Sequence, residues 1–219
     1  MSLLPAIEFD TGPDPNHCVI WLHGLGADGN DFAPIVPALK LPAHPTIRFI
    51  FPHAPQMPVT VNGGMVMPAW YDIVEMQIER RVDVDGLLAS AASINAFVDR
   101  EIGRGLKEEN IVIAGFSQGG AVAYHVALNR SSPLCGLLAM STYCAACERL
   151  QSHAQLTGLP IEIHHGLYDP VVPERLGKEA SAFLEEHGYA PVYRTYPMEH
   201  QVCAEQIGDI SNWLQTIIT

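Results

Sequence analysis

The stretch IVIAGFSQGGAVAY, Ile111–Tyr124, decides the fold. A run of β-branched and small apolar residues stops at Gly115, a serine stands at 117, two glycines follow at 119 and 120, and AVAYHVAL continues with helical spacing. Gly115-Phe116-Ser117-Gln118-Gly119 fits G-x-S-x-G with a strand before it and a helix after it, the setting that a nucleophile elbow requires. In such a turn the serine takes a strained backbone conformation that lifts its Oγ clear of the sheet. The residues two before and two after it must be small, because strand and helix pass close together. The helix N-terminus beneath adds a positive end that favours a developing oxyanion. The alternative is a tight β–α turn with an incidental serine.

A serine hydroxyl is a poor nucleophile without a base, and the base needs a carboxylate to hold it. In this arrangement the chain order is serine, acid, histidine. Of the 10 histidines, His187 and His200 lie far enough beyond Ser117 to leave room for an intervening strand and its acid. His187 sits in EEHG at a helix end, where a histidine has an ordinary capping role. His200 sits in YPMEHQV, a loop after the last strand, and such loops build the sites of α/β sheets. His200 is therefore the expected base. For the acid, Asp169 stands in HHGLYDPVVP directly after the strand IEIHH. Glu162 is inside that strand, the glutamates from 174 to 186 belong to the next helix, and Glu199 adjoins the histidine too closely. The competing reading of Asp169 is a turn aspartate before Pro170.

Two backbone donors are needed for an oxyanion. One is the N–H of Gln118, next to the serine; the other belongs in the loop after an early strand. VIWLHGLGADGNDF supplies that loop, and Leu25 N–H is the candidate. Gly24, Gly26 and Gly29 also have the G-x-G-x-x-G spacing of a dinucleotide cradle. That reading needs an acid after the second strand, where FIFPHAP has none.

Around this centre the sequence alternates strand-length apolar runs with amphipathic segments. Strands are expected at His17–Leu22, Ile47–Phe51, Ile111–Gly115, Gly136–Met140, Ile161–His165 and Val192–Tyr196. Most are continuously apolar, as strands buried on both faces of a parallel sheet are. Helices are expected at Val84–Glu101, Pro173–Glu186 and Val202–Ile218. The fold class is α/β: a mostly parallel central sheet with helices on both faces, one domain over residues 1–219, and no large cap. Pro52–Asp72, rich in Pro, Gly and Met, lacks periodicity and is read as a folded active-site flap.

Hydrophobic residues make up 48% and charged residues 16%, enough for a sizeable core. A net charge of −12 without any basic run excludes nucleic acid as a partner. The N-terminus lacks the pattern of a secretory signal, and no stretch has the roughly 20 apolar residues of a membrane span, so a soluble cytoplasmic protein is expected. The 5 cysteines are irregularly spaced, which argues against a disulfide framework. Cys144 and Cys147 form a lone C-x-x-C with no second pair at zinc-ligand spacing, so neither a metal nor a cofactor is expected. Oligomeric state is not legible, and a homodimer is compatible with the sequence.

With these pieces placed, the chain resembles the bacterial carboxylesterase and acyl-protein thioesterase group, also called the phospholipase/carboxylesterase family, within the α/β-hydrolases. The resemblance rests on WLHGLGADGNDF, FPHAP, VTVNGGMVMPAWYDI, GFSQGGAVAY, HHGLYDPVVP and MEHQV, in family order from about residue 17 to 213. It implies a triad of Ser117, Asp169 and His200, oxyanion donors at Leu25 and Gln118, and metal-independent hydrolysis of esters or thioesters. The expected substrates are small-molecule or lipid-like acyl esters with small to medium chains. The long-chain activity of an acyl-protein thioesterase or lysophospholipase is the alternative, and a non-catalytic binding scaffold is the rival of another class. Trp70-Tyr71-Asp72 is similar to the segment lining the family's acyl pocket, so Trp70 is a candidate substrate contact, with a core anchor as its competing reading; Val172 is the second candidate contact. Glu199 before the histidine, Thr142 with Cys144–Cys147 after Met140, and bulky Leu167 and Tyr168 depart from the family pattern. They concern the pocket rim and substrate size.

Overall fold

The computed structural model describes residues 3–75, 82–150 and 156–218. Its strands are β1 (Ala6–Asp10), β2 (His17–Leu22), β3 (Ile47–Pro52), β4 (Gln56–Val59), β5 (Met65–Pro68), β6 (Ile111–Phe116), β7 (Gly136–Met140), β8 (Ile161–Gly166) and β9 (Val192–Tyr196). Its helices are α1 (Ile35–Ala38), α2 (Val84–Gly103), α3 (Gln118–Leu128), α4 (Glu174–Glu186) and α5 (Ala204–Ile217). A seven-stranded sheet runs in the order β1-β3-β2-β6-β7-β8-β9. β1 pairs antiparallel with β3 and every other neighbouring pair is parallel.

Strand periodicity splits the core in two. Cys18, Ile20 and Leu22 of β2 point to one face, where they meet Leu87, Ile94 and Phe97 of α2 and the apolar side of α3. Val19 and Trp21 point to the other, against Ile35 and Val36 of α1 and Ile210, Trp213 and Leu214 of α5. β6 divides likewise, Ile111 and Ile113 against Val112 and Ala114. Both faces are therefore covered, which explains why these strands read as continuous apolar runs. Each fully buried Ile or Leu contributes about 1.5–3 kcal/mol relative to exposure. α3 is buried along its whole length, unlike the amphipathic α4 and α5, because it lies between β6, β7 and α2.

All strands expected from the sequence form, with ends shifted by one residue at most. β1 was not expected: AIEFD is half exposed at a sheet edge and carries two acids, so it lacks a buried strand's signature. The flap of residues 52–72 contains a hairpin, β4 with β5. The hairpin is pinned by Asp72 at the end of the flap, whose carboxylate accepts from the Thr60 amide at 2.7 Å and the Thr60 hydroxyl at 2.5 Å. Cys144 and Cys147 are joined in a disulfide, one local link rather than a framework, while Cys18, Cys135 and Cys203 are free thiols. Among the described residues no helix is long and apolar enough to cross a membrane.

Candidate active site

Ser117 is the residue between β6 and α3, with φ 53° and ψ −121°. An L-residue held at positive φ is strained, and such strain clusters at functional sites. The turn survives because the residues two before and two after the serine, Gly115 and Gly119, have no side chains. A Cβ on Gly115 would run into the Gly119 carbonyl, and a Cβ on Gly119 would come within 2.5 Å of the His23 carbonyl. The serine turn thus packs directly on the end of β2. Its backbone is tied down by the Ser117 amide donating to the Met140 carbonyl at 2.9 Å, and by the Thr142 hydroxyl donating to the Ser117 carbonyl at 2.6 Å.

The sheet brings residues far apart in sequence to one edge. His200 Nε2 lies 2.9 Å from Ser117 Oγ, and His200 Nδ1 lies 2.6 Å from Asp169 Oδ2. The other carboxylate oxygen of Asp169 accepts from the Val171 and Val172 amides at 2.9 and 2.8 Å. Burial alone would raise the Asp169 carboxyl, but the hydrogen bonds from His200, Val172 and Val171 outweigh it and hold the group below the usual carboxylate range. An ionised Asp169 fixes the tautomer: Nδ1 carries the proton, and Nε2 is left to accept from the serine hydroxyl. The acid and histidine loops are joined by their backbones, Leu167 N–H donating to the Tyr196 carbonyl at 2.9 Å and Tyr168 N–H to the Met198 carbonyl at 3.1 Å. His187, set aside on sequence grounds, caps its helix, its Nδ1 donating to the Phe183 carbonyl at 2.7 Å.

His165 stands beneath the acid loop. Its Nε2–H donates to the Val172 carbonyl at 2.9 Å and lies 3.8 Å from Asp169 Oδ2. Burial pushes its pKa down, so it braces the loop as a neutral ring.

The loop after β2 is ordered by His23. The Ala54 amide donates to His23 Nε2 at 3.1 Å, which leaves Nδ1–H to donate to the Gly24 carbonyl at 2.7 Å. Burial holds this imidazole below its ordinary pKa and hence neutral. The Gly26 amide donates to the Pro68 carbonyl at 2.9 Å and the Ala27 amide to the Gly24 carbonyl at 3.3 Å, fixing the turn on both sides of the Leu25 N–H. Leu25, Ser117, Gln118 and His200 face one cavity of about 320 Å³. The rest of its wall is largely apolar, with Ile73, Phe116, Val171 and Val172 exposed to it.

Val172 lines this cavity. Trp70 is not among the residues that line it, and its surroundings favour the second of its two readings, the core anchor. It is 2% exposed and held on three sides: its indole N–H donates to the His23 carbonyl at 2.8 Å, its amide donates to Gln118 Oε1 at 2.8 Å, and its carbonyl accepts from the Ser90 hydroxyl. An indole so satisfied serves as a core anchor that joins the flap to the β2 loop. The neighbouring Tyr71 is the residue that reaches the cavity, together with Tyr143 from the loop after β7. Sequence reasoning missed Tyr143; its signal was its position just past the C-terminal end of a central strand. Phe116 was equally legible as the variable residue before the serine, and its ring lies 4.8 Å from that of His200.

Comparison with known proteins agrees with this geometry. The phospholipase/carboxylesterase family matches residues 6–218. The chain is 35% identical to acyl-protein thioesterase 1 of Neurospora crassa, over 97% of this chain and 89% of that protein. It is also 35% identical to acyl-protein thioesterase 1 of Saccharomyces cerevisiae, over 90% and 91%. Among solved structures, Arabidopsis thaliana SOBER1 superimposes with a TM-score of 0.85 at 28% identity, covering 93% of this chain and 99% of that one. The Bacillus cereus carboxylesterase, at 20% identity and a TM-score of 0.78, shares the fold. With its mostly parallel sheet, covered on both faces and carrying a serine turn after a central strand, the chain belongs to the phospholipase/carboxylesterase family of α/β-hydrolases.

Proposed function

We propose that this protein is a serine hydrolase that cleaves carboxylic esters or thioesters of small to medium acyl chains through an acyl-enzyme. The observation that carries the reading is the unbroken hydrogen-bond chain from Ser117 through His200 to Asp169 at the wall of an apolar cavity. Ser117 Oγ attacks the acyl carbonyl while His200 Nε2 takes its proton. Asp169 holds the imidazole in place and stabilises its charged form. The Leu25 and Gln118 amides receive the oxyanion, and the N-terminus of α3 adds its positive end. The tetrahedral adduct collapses as His200 returns the proton to the departing alcohol or thiol. Water then attacks the acyl-serine with His200 again as base, which releases the acid and regenerates the hydroxyl.

Thioesters enter the reading because relatives at 35% identity are acyl-protein thioesterases. The same triad serves either leaving group, so acyl-chain size is the sharper question. A non-catalytic scaffold is the rival, and it is disfavoured by an intact, hydrogen-bonded set of all three groups. Labelling with a fluorophosphonate probe separates the two. The wild type should be labelled and Ser117→Ala should not, and a wild type that stays unlabelled and inert toward p-nitrophenyl esters overturns the reading.

We also propose one domain over residues 1–219 and a cytoplasmic location, for which the irregular spacing of the cysteines, unlike that of a disulfide framework, speaks. A homodimer is to be tested by light scattering after size exclusion.

A further inference from the structure

A second cavity, of about 390 Å³, lies beside the catalytic one. It is formed by the loop after β7 and the inner face of α4, with Leu176, Ala180 and Phe183 in its wall. Tyr143 lines both cavities. Its hydroxyl meets that of Tyr71 at 2.9 Å, and Tyr71 belongs to the catalytic cavity. A second pair continues the wall: Ile73 and Val82 form an antiparallel bridge, Ile73 lining the catalytic cavity and Val82 the neighbouring one.

We infer that Tyr143 is the specificity-determining residue for acyl-chain length: bonded to Tyr71, it closes the catalytic cavity against its neighbour and restricts the enzyme to short and medium acyl groups. This rests on the serine-hydrolase reading above.

Three physical points support it. The catalytic cavity is about 320 Å³ and its neighbour about 390 Å³, so the partition withholds from an acyl chain more space than the catalytic cavity itself offers. Next, the partition is built to stay in place. Burial raises the pKa of both phenols, so each hydroxyl stays protonated and the pair remains a neutral hydrogen bond. The backbone under Tyr143 is also fixed. Ser141 is held at φ 45°, its amide donates to the His164 carbonyl at 2.7 Å, and the Ala145 amide donates to the Tyr143 carbonyl at 3.1 Å. Lastly, the wall beyond the partition is mostly apolar, with Leu176, Ala180 and Phe183 facing the space that a methylene chain would fill.

The test is the chain-length profile of kcat/KM on p-nitrophenyl butyrate, octanoate and dodecanoate, each below its micelle concentration. The wild type should fall by about tenfold or more from butyrate to dodecanoate. Tyr143→Ala should raise the dodecanoate-to-butyrate ratio by about tenfold or more, since each added methylene in an apolar pocket is worth that order of discrimination. Adding Ala180→Leu to Tyr143→Ala refills the second cavity and should take most of the gain back, which general loosening of the site would not predict. Should Tyr143→Ala fail to fold by its melting curve, Tyr143→Leu is read instead and should move the ratio the same way by a smaller factor.

A wild type that prefers dodecanoate overturns the inference. So does a Tyr143→Ala ratio within about threefold of wild type, or a gain that survives Ala180→Leu. A wild type that turns over none of the esters and takes no fluorophosphonate overturns the hydrolase reading itself, and the inference with it.

Discussion

Gln118 holds the flap to the serine turn. Its side chain accepts the Trp70 amide at 2.8 Å and donates to the Tyr71 carbonyl at 2.7 Å. Besides the oxyanion contact proposed for its backbone, the residue beside the proposed nucleophile thus has a second duty, its side chain fixing the segment that carries Tyr71 to the cavity. Gln118→Ala keeps the first and removes the second. It leaves a buried amide and a buried carbonyl unpaired, at about 1–3 kcal/mol each. The expected result is a clear fall in urea midpoint together with a drop in ester turnover. Equal stability of Gln118→Ala and wild type in urea unfolding would show that the bridge carries no energy.

The strained turn at Ser117 predicts a split between activity and stability. Ser117→Ala and Ser117→Gly should both lose about 10⁴–10⁶-fold in kcat, because each removes the nucleophile. They should differ in stability. Alanine inherits the strain at φ 53°, whereas glycine adopts positive φ freely, and Ser117→Gly should be the more stable by about 1 kcal/mol. Urea unfolding of the two variants checks this, and a more stable alanine variant would mean that the turn stores no strain.

Asp169 is bound on both oxygens, by His200 on one and by the Val171 and Val172 amides on the other. Asn in its place must turn an NH₂ group toward a donor on one side. Asp169→Asn is expected to lose about 10⁴-fold in kcat as the imidazole takes the wrong tautomer. It should also lose about 1–3 kcal/mol of stability from the mispaired donor. Steady-state kinetics with p-nitrophenyl butyrate and a melting curve read the two effects separately. A kcat within tenfold of wild type would remove Asp169 from the mechanism.

How much of this was legible in the chain follows from where each signal resides. Ser117 and Asp169 each sit just past a strand that is buried on both faces, so apolar run lengths placed them at one sheet edge; His200 follows β9, a largely exposed edge strand, and was placed instead by its loop between the last strand and the last helix. Leu25 and Gln118 followed from the loop logic of that same edge. Trp70 stayed between two readings because a large aromatic in a Pro- and Gly-rich segment reads alike as a pocket wall or an anchor. What decides it is the pairing of its indole N–H with the His23 carbonyl, a contact across 47 residues that no local pattern carries. Tyr143 escaped notice for a related reason: its importance comes from meeting Tyr71, 72 positions away. The β1 edge strand was missed because an edge has no two-sided burial to write into the sequence.

Three of the buried histidines outside the proposed triad give the protein a predicted acid sensitivity. His23, His125 and His165 are each 0–1% exposed, and burial lowers the pKa of each despite a hydrogen bond to a backbone carbonyl. In the unfolded chain a histidine titrates near about 6.5. The folded state therefore binds fewer protons than the unfolded one once the pH drops below that value. The stability from these neutral rings is complete above it and is lost as the pH falls toward the folded values. Each ring can contribute up to about 1.4 kcal/mol per pH unit in that window, which for a domain of this size is about 2–4 °C in melting temperature for each kcal/mol. The melting temperature should accordingly fall between pH 7.5 and 5.5. His125 allows a clean test, because its Nε2–H donates to the Ala145 carbonyl at 2.6 Å, away from the Ser117–His200 pair. Glutamine keeps a donor there without a titrating ring, so His125→Gln should show a shallower fall over the same range. A wild-type melting temperature that is flat from pH 7.5 to 5.5, or a His125→Gln slope equal to wild type, would show that these rings are not held neutral by burial.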